Sequence, residues 1–327
     1  MDIRTGITEN MVTDDVSESS KSRDGSLSLR PQGKSRRMRL LEKMGCFRNG
    51  THAVNILRAT SADDLYKAYQ LVHDNYVDKG YIIPQPSGVR MRIYEALPDT
   101  ATFVAKAGKE IVGVTSLVFD TPGLGLPSDQ VFSEEIGSLR RGGGRIAEVT
   151  NWTIAPPFRR TAVLTELIRC YIAHLLAVGC DYAVGAISPG HRAFYELIGY
   201  EVIGTIRSYS AEIYDPVILV CLSLDNLIKR LAATPDGDEN DAATLKKYYL
   251  ENNPYHDQME NWETAAHKSF ADPVFLHRLF VEQSNLLAEC SDAELEVLRR
   301  QWSESIFMDV LGHNILYDTF FAFFNTK

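Results

Sequence analysis

Apolar positions along this chain recur with two different periods, and the switches between them outline its elements. Val54–Ala59 predicts a short strand. Ser61 then reads as the N-cap of a helix, with Asp64 three residues on as a variant of the capping box. Leu65, Ala68, Tyr69, Val72 and Tyr76 follow at helical spacing and form its apolar stripe. Val77–Thr100, with Pro84, Pro86, Gly88 and Pro98, predicts a long loop, and loops of that length inside a domain tend to carry function.

Ala101–Ala107 and Glu110–Phe119 predict a hairpin turning at Gly108 and Lys109. Ser128–Arg140 predicts a helix broken by Gly142–Gly144, and Arg145–Ile154 a strand stopped by Pro156 and Pro157. Thr161–Val178 reads as an amphipathic helix and Tyr182–Ile187 as a strand. His191–Ile198 reads as a short helix closed by Gly199, and Tyr200–Arg207 and Val217–Leu224 as the last strands. This order predicts an α/β domain, a mixed sheet with helices on both faces.

Composition divides the rest. Residues 1–50 are rich in Ser, Arg, Lys, Asp and Gly, which predicts a mostly disordered leader with a short helical turn near Arg39–Phe47. The folded domain is expected over 52–230, a linker over 231–242 (the run Thr234–Asp241), and a helical C-terminal extension over 243–327. In the extension Leu245–Glu251, Asn261–Phe270, Pro273–Glu289 and Asp292–Val310 read as helices, and Ser291 with Glu294 as a capping box. Trp262, Trp302 and Phe320–Phe324 are expected to be core or contact residues.

With 45% hydrophobic and 24% charged residues, the chain has a soluble globular composition. No apolar run is long enough to cross a bilayer and the first residues are polar, so a cytoplasmic protein without a transmembrane segment is expected; peripheral membrane contact stays open. A net charge of −9 argues against nucleic acid as partner, although residues 30–48 are basic. Five scattered cysteines and eight unclustered histidines predict no metal site.

The candidate chemistry lies in three successive segments. Glu148–Arg160 runs from a strand into a proline-stopped turn and on to a helix, whose free N–H groups can face an anion beside Arg159 and Arg160. The apolar strand Tyr182–Ile187 follows, and then His191–Gly204 with Phe194-Tyr195 before Gly199-Tyr200. This succession resembles the GNAT acyltransferase superfamily. Tyr76, Gly80-Tyr81, Pro86 with Gly88, and the run Tyr94–Ala105 look like the N-acyl amino acid synthases, relatives of the acyl-homoserine-lactone synthases.

The resemblance covers residues 56–224. It implies a GNAT-type mixed, splayed β-sheet and an N-acyltransferase joining a long-chain acyl thioester to the amine of an amino acid or similar small amine. It also implies an acyl donor, on acyl carrier protein or coenzyme A, and no tightly bound cofactor. Arg159–Leu164 lacks the glycines of a pyrophosphate-binding loop, which favours acyl carrier protein, a phosphopantetheine carrier, as donor and partner.

Glu148 is expected as general base, because a carboxylate among Ile146, Ala147 and Val149 should have a raised pKa. A solvent-facing glutamate or one paired with Arg145 is the plainer reading. Backbone N–H groups around Trp152, Thr153 and Ile154 are expected to hold the oxyanion. Tyr195 matches the position whose phenol faces the leaving sulfur, and is otherwise a core aromatic. Arg90 and Arg92 in the long loop are candidates for the acceptor carboxylate. Val149, Ile154, Leu164, Leu167, Val184 and Ile187 could line an acyl slot or simply fill the core. A coenzyme A-dependent N-acetyltransferase and a non-catalytic binding module are the alternatives. A lactone synthase ranks lower, since no tryptophan lies between Ser61 and Asn151.

Overall fold

Eight strands form one sheet in the computed structural model, which describes residues 35–43, 54–209, 216–233 and 241–312. Its strands are β1 (Asn55–Arg58), β2 (Ala101–Ala107), β3 (Glu110–Phe119), β4 (Ile146–Ile154), β5 (Tyr182–Ile187), β6 (Glu201–Val202), β7 (Arg207–Ser208) and β8 (Pro216–Ser223). The order is β1-β2-β3-β4-β5-β8-β6, with β7 also on β8. All pairings are antiparallel except β4 with β5.

That parallel pair decides the geometry. It is zipped only where Ile146, Ala147 and Glu148 face Tyr182, Ala183 and Val184. Beyond Glu148 the two strands part, because β4 turns into a register shift against β3 between Val114 and Ser116. The extra residue there is Asn151, in the left-handed region at φ 55°. Asparagine is one of the few L-residues that visits that region readily, so a bulge forms here at modest strain. This is the mixed, splayed α/β sheet expected from the sequence.

Helix α4 (Val163–Ala177) covers one face of β1–β4 with Val163, Leu167, Ile168 and Tyr171. The other face carries α2 (Ala62–Asp78), whose Leu65, Ala68, Tyr69 and Val72 are buried as the helical stripe requires. Ser61 caps α2 by accepting from the Asp64 backbone, while the Asp64 carboxylate pairs with Lys106. Helix α3 (Asp129–Arg141) packs Phe132 and Ile136 under β4, β5 and β8. Short α5 (Arg192–Ile198) ends at Gly199, whose φ of 110° calls for glycine.

Three expectations need correction. The helical turn expected near Arg39–Phe47 starts earlier and is core: α1 (Arg36–Lys43) buries Met38 and Leu41 in the main core, while residues 1–34 and 44–53 lie outside the described residues. Tyr200–Arg207 is not one strand. The N–H groups of Ile203 and Gly204 both donate to Leu219 O, which breaks the ladder into β6 and β7. The expected long helices of the extension are also interrupted. After α6 (Leu224–Ala232) and α7 (Asp241–Lys246), the chain continues through a π-turn at Lys247–Glu251. It then forms α8 (Met259–Phe270), α9 (Pro273–His277), a π-turn at Arg278–Glu282, α10 (Leu286–Glu289) and α11 (Asp292–Trp302). Asn285 and Ser303, at φ 58° and 73°, make the breaks.

The extension docks on the sheet. Leu276, Leu279, Phe280, Leu298 and Trp302 share a core with α2 and the 89–97 loop. The Trp302 indole N–H donates to Ala96 O at 2.8 Å. On α8, Glu263 meets buried Arg58 at 2.5 Å and His174 at 3.2 Å. Burial first, then the charge of Arg58, holds His174 down to about 3, so the ring beside Glu263 is neutral and the contact is not an ion pair. Residues 234–240 of the expected linker and the Phe320–Phe324 cluster lie outside the described residues. Among the described residues no helix is long and apolar enough to cross a membrane.

Candidate active site

Where β4 and β5 part, a cavity of about 140 Å³ opens. Glu148, Trp152, Tyr195, Tyr76 and Arg90 all line it. They converge from four segments: β4, α5, the end of α2, and the loop after it.

Glu148 is 3% exposed and accepts a hydrogen bond from Ser128 N at 2.8 Å. It neither faces solvent nor pairs with Arg145, whose guanidinium hydrogen-bonds Val178 O. Burial pushes its carboxyl up to about 7, against the opposing pull of Ser128 and the Arg92 charge. A carboxylate of that basicity can take a proton near neutral pH.

The bulge aims its neighbours. Trp152 follows it into the cavity lining beside Tyr76, whose hydroxyl pKa is raised by burial and pulled the other way by the Arg90 charge. Asn151 is wholly buried. Its amide nitrogen donates to Glu95 Oε1 at 2.9 Å and Ser116 Oγ at 3.1 Å, and its Oδ1 accepts from Arg90 at 2.7 Å. One side chain therefore fixes both the strand bulge and the nearby guanidinium.

Arg90 also lies over the Tyr76 ring, 5.0 Å from its centroid. Burial lowers its pKa, and among the described residues no carboxylate reaches it at ion-pair distance. A desolvated cation held by a neutral amide and a ring face is a receptor for an anion. Arg92 differs: it chelates Glu95 at 2.7 and 3.3 Å, and Glu95 also accepts its backbone N–H at 2.6 Å. Burial alone would raise the Glu95 pKa, but the charge and hydrogen bonds of Arg92 hold it below the usual range. The second arginine thus braces the loop and lines an adjoining, larger cavity.

Tyr195 stacks edge-on against Phe194 and Tyr200, 5.3 Å from each. Burial raises its pKa, which keeps the phenol protonated and able to donate. Thr153 and Ile154 sit in register with Val114 and Gly113 of β3 and do not line the cavity. Arg159 and Arg160 are exposed at the turn before α4; Arg159 donates to Ile154 O at 3.2 Å and Asn75 Oδ1 at 2.8 Å. Of the expected slot residues, Val149 and Ile187 line the cavity, whereas Val184 and Leu167 are wholly buried core.

Sequence reasoning missed Asn151, Glu95 and Tyr209. An asparagine within an apolar strand is a disfavoured choice and was a signal for the bulge. Glu95 and Tyr209 carried none. Among the described residues no group of three or more His, Cys, Asp or Glu side chains could hold a metal ion.

A sheet parted over a basic carboxylate suits attack of an amine on a thioester, and N-acyl transfer is the class of this domain. Residues 67–223 match the family described as N-acyl amino acid synthase FeeM, as the resemblance implied. Three solved structures illustrate the likeness. FeeM from uncultured soil microbes is 22% identical, with TM-score 0.48 over 54% of this chain and 94% of its own. The coenzyme A-dependent acyl-homoserine lactone synthase BjaI is 17% identical, with TM-score 0.42 over 59% and 97%. The IAA acetyltransferase of Bacillus cereus is 16% identical, with TM-score 0.35 over 52% and 99%. No curated protein matches the chain.

Proposed function

We propose that this protein transfers a long-chain acyl group from an acyl carrier protein thioester to the α-amine of an amino acid. One observation carries the reading: a buried carboxylate with pKa near 7 lies in one cavity with Trp152, Tyr195 and an anion-receptive arginine. Arg90 would hold the acceptor's carboxylate, leaving its ammonium beside Glu148. Glu148 takes a proton, the freed amine attacks the thioester carbonyl carbon, and the Trp152 N–H supports the oxyanion. Collapse breaks the C–S bond and Tyr195 gives its proton to the sulfur, regaining one from the attacking nitrogen; amide and thiol are released, and Glu148 returns its proton to solvent.

The carrier donor is supported by the turn before α4. Arg159 and Arg160 are exposed there, where an acidic carrier and its single phosphodiester can meet them. Ala162 and Leu164 stand where a pyrophosphate loop would place glycines.

Incubating the full chain with dodecanoyl-acyl carrier protein and a mixture of amino acids tests this reading. Mass spectrometry should find N-dodecanoyl amino acids, with one thiol released per amide. Thioester consumption no faster than without the protein would retire it. Arg90→Lys is expected to raise KM for the acceptor by roughly 10- to 100-fold with a smaller change in kcat, because a bidentate contact is lost. Tyr195→Phe is expected to lower kcat by about tenfold with KM little changed, since a thiolate leaves without much help; pre-steady-state thiol release reads this directly.

A further inference from the structure

The larger cavity, about 530 Å³, adjoins the reaction cavity, and Ile82, Arg90 and Tyr209 are common to both linings. One wall is the 90–94 segment with its two arginines. The facing wall comes from the C-terminal extension: Leu286, Glu289, Cys290 and Glu294, at the junction of α10 and α11. These residues lie outside the 67–223 family match.

The facing wall has a fixed position. Trp302, at the end of α11, donates its indole N–H to Ala96 O at 2.8 Å. Val297, Leu298 and Trp302 share a core with Val89, Ile93 and Ala96, which flank the arginines. A side chain on α10 therefore stands at a set distance from Arg90, as a gauge of ligand length requires.

Charge is divided across the space. Arg92 is already neutralised by Glu95, which leaves Arg90 as the anion receptor of the near wall. On the far wall, among the described residues, Glu289 makes no hydrogen bond or ion pair, and Glu294 is engaged by Ser291 alone. The volume falls in the range of sites that enclose whole small molecules, far more than the backbone of an amino acid needs.

We propose that the α10–α11 junction is the specificity wall of the acceptor site, taking an amino acid whose side chain is long and ends in a cationic group. This rests on the reading of Arg90 and Glu148 given above. With the acceptor's carboxylate on Arg90 and its amine at Glu148, a long side chain extends toward α10. A cationic end then meets Glu289 and Glu294, and an anionic end is repelled by them.

The full-length protein is assayed with dodecanoyl-acyl carrier protein and three acceptors: arginine, its uncharged isostere citrulline, and glycine. Wild type is expected to show kcat/KM at least about threefold higher for arginine than for citrulline, the size an exposed charge contact supplies. Glu289→Lys should invert that ratio. Cys290→Trp, which narrows the cavity, should lower the arginine-to-glycine ratio by about tenfold or more. Both readouts are ratios within one preparation, so a partly folded variant does not mimic them. A wild type that favours citrulline, or ratios that move by less than twofold in both variants, would overturn the inference while leaving acyl transfer intact. N-acyl product from none of the standard amino acids would instead retire the underlying reading, and the inference with it.

Discussion

Glu148→Gln should lower kcat/KM by about 100- to 10,000-fold, the range general-base catalysis supplies. The amide keeps the shape of the carboxyl group but takes no proton. Wild-type kcat/KM should climb about tenfold per pH unit and level off above pH 7, because the Glu148 carboxyl, pushed up to about 7 by burial, must first lose its proton. The variant's residual rate should lack that limb. Stability carries the opposite sign. The folded-state pKa lies above the ordinary carboxylate value of about 4.5, so folding favours the protonated form, and that stabilisation is lost as pH rises from about 4.5 through about 7. At pH 8 the variant should melt no lower than wild type. A pH–rate series and thermal melts on both proteins decide the matter, and a variant with wild-type kcat/KM removes Glu148 as base.

The second large effect is expected at Asn151. Asn151→Ala removes three hydrogen bonds, buried ones to Glu95 and Ser116 and a half-buried one from Arg90, and places alanine at φ 55°. The left-handed backbone alone costs alanine about 1–2 kcal/mol, and stranded buried polar groups add about 1–3 kcal/mol each. We expect a loss of several kcal/mol in denaturant unfolding and at least a hundredfold fall in kcat/KM. Asn151→Gly separates the two roles. Glycine tolerates the backbone, so it should recover about 1–2 kcal/mol of stability relative to alanine. With Arg90 untethered, its acceptor KM should remain raised. Equal stability and equal KM in the two variants would show that the bulge is not held by this side chain.

The predicted and observed elements agree where one period dominates. The hairpin Ala101–Ala107 and Glu110–Phe119 and the strand Tyr182–Ile187 were legible residue for residue, since continuous apolar runs between turn signals admit one reading. The Ser61 cap and the Ser291–Glu294 capping box were equally legible, being local hydrogen bonds. The failures fall at residues that answer to distant partners. Asn285 and Ser303 break an otherwise helical pattern where the chain must return Trp302 and Phe307 to the core. Met38 looked like part of a polar leader and Leu41 like part of a short helical turn beside it, and both became core residues.

The site divides in the same way. A glutamate among apolar strand residues, a phenol before a glycine-closed helix and two arginines in a proline-rich loop could be picked out singly. Their relations could not. Arg90 and Arg92 are two residues apart with the same chemistry, yet one faces a neutral amide and the other a buried carboxylate. Glu148 and Val184 are the last pair of the β4–β5 ladder, and the gap opens directly beyond them.

By itself the sequence determined the order of strands and helices from β1 to β5, several capped ends, and the kinds of group available for chemistry, because these follow from periodicity and contacts within a few residues. The parting of β4 from β5, the basicity of Glu148, the unequal roles of the two arginines and the wall supplied by α10 and α11 were decided by tertiary structure alone. Each depends on which groups exclude water from which others, and residues up to two hundred positions apart in the chain set that exclusion, as Trp302 on Ala96 shows.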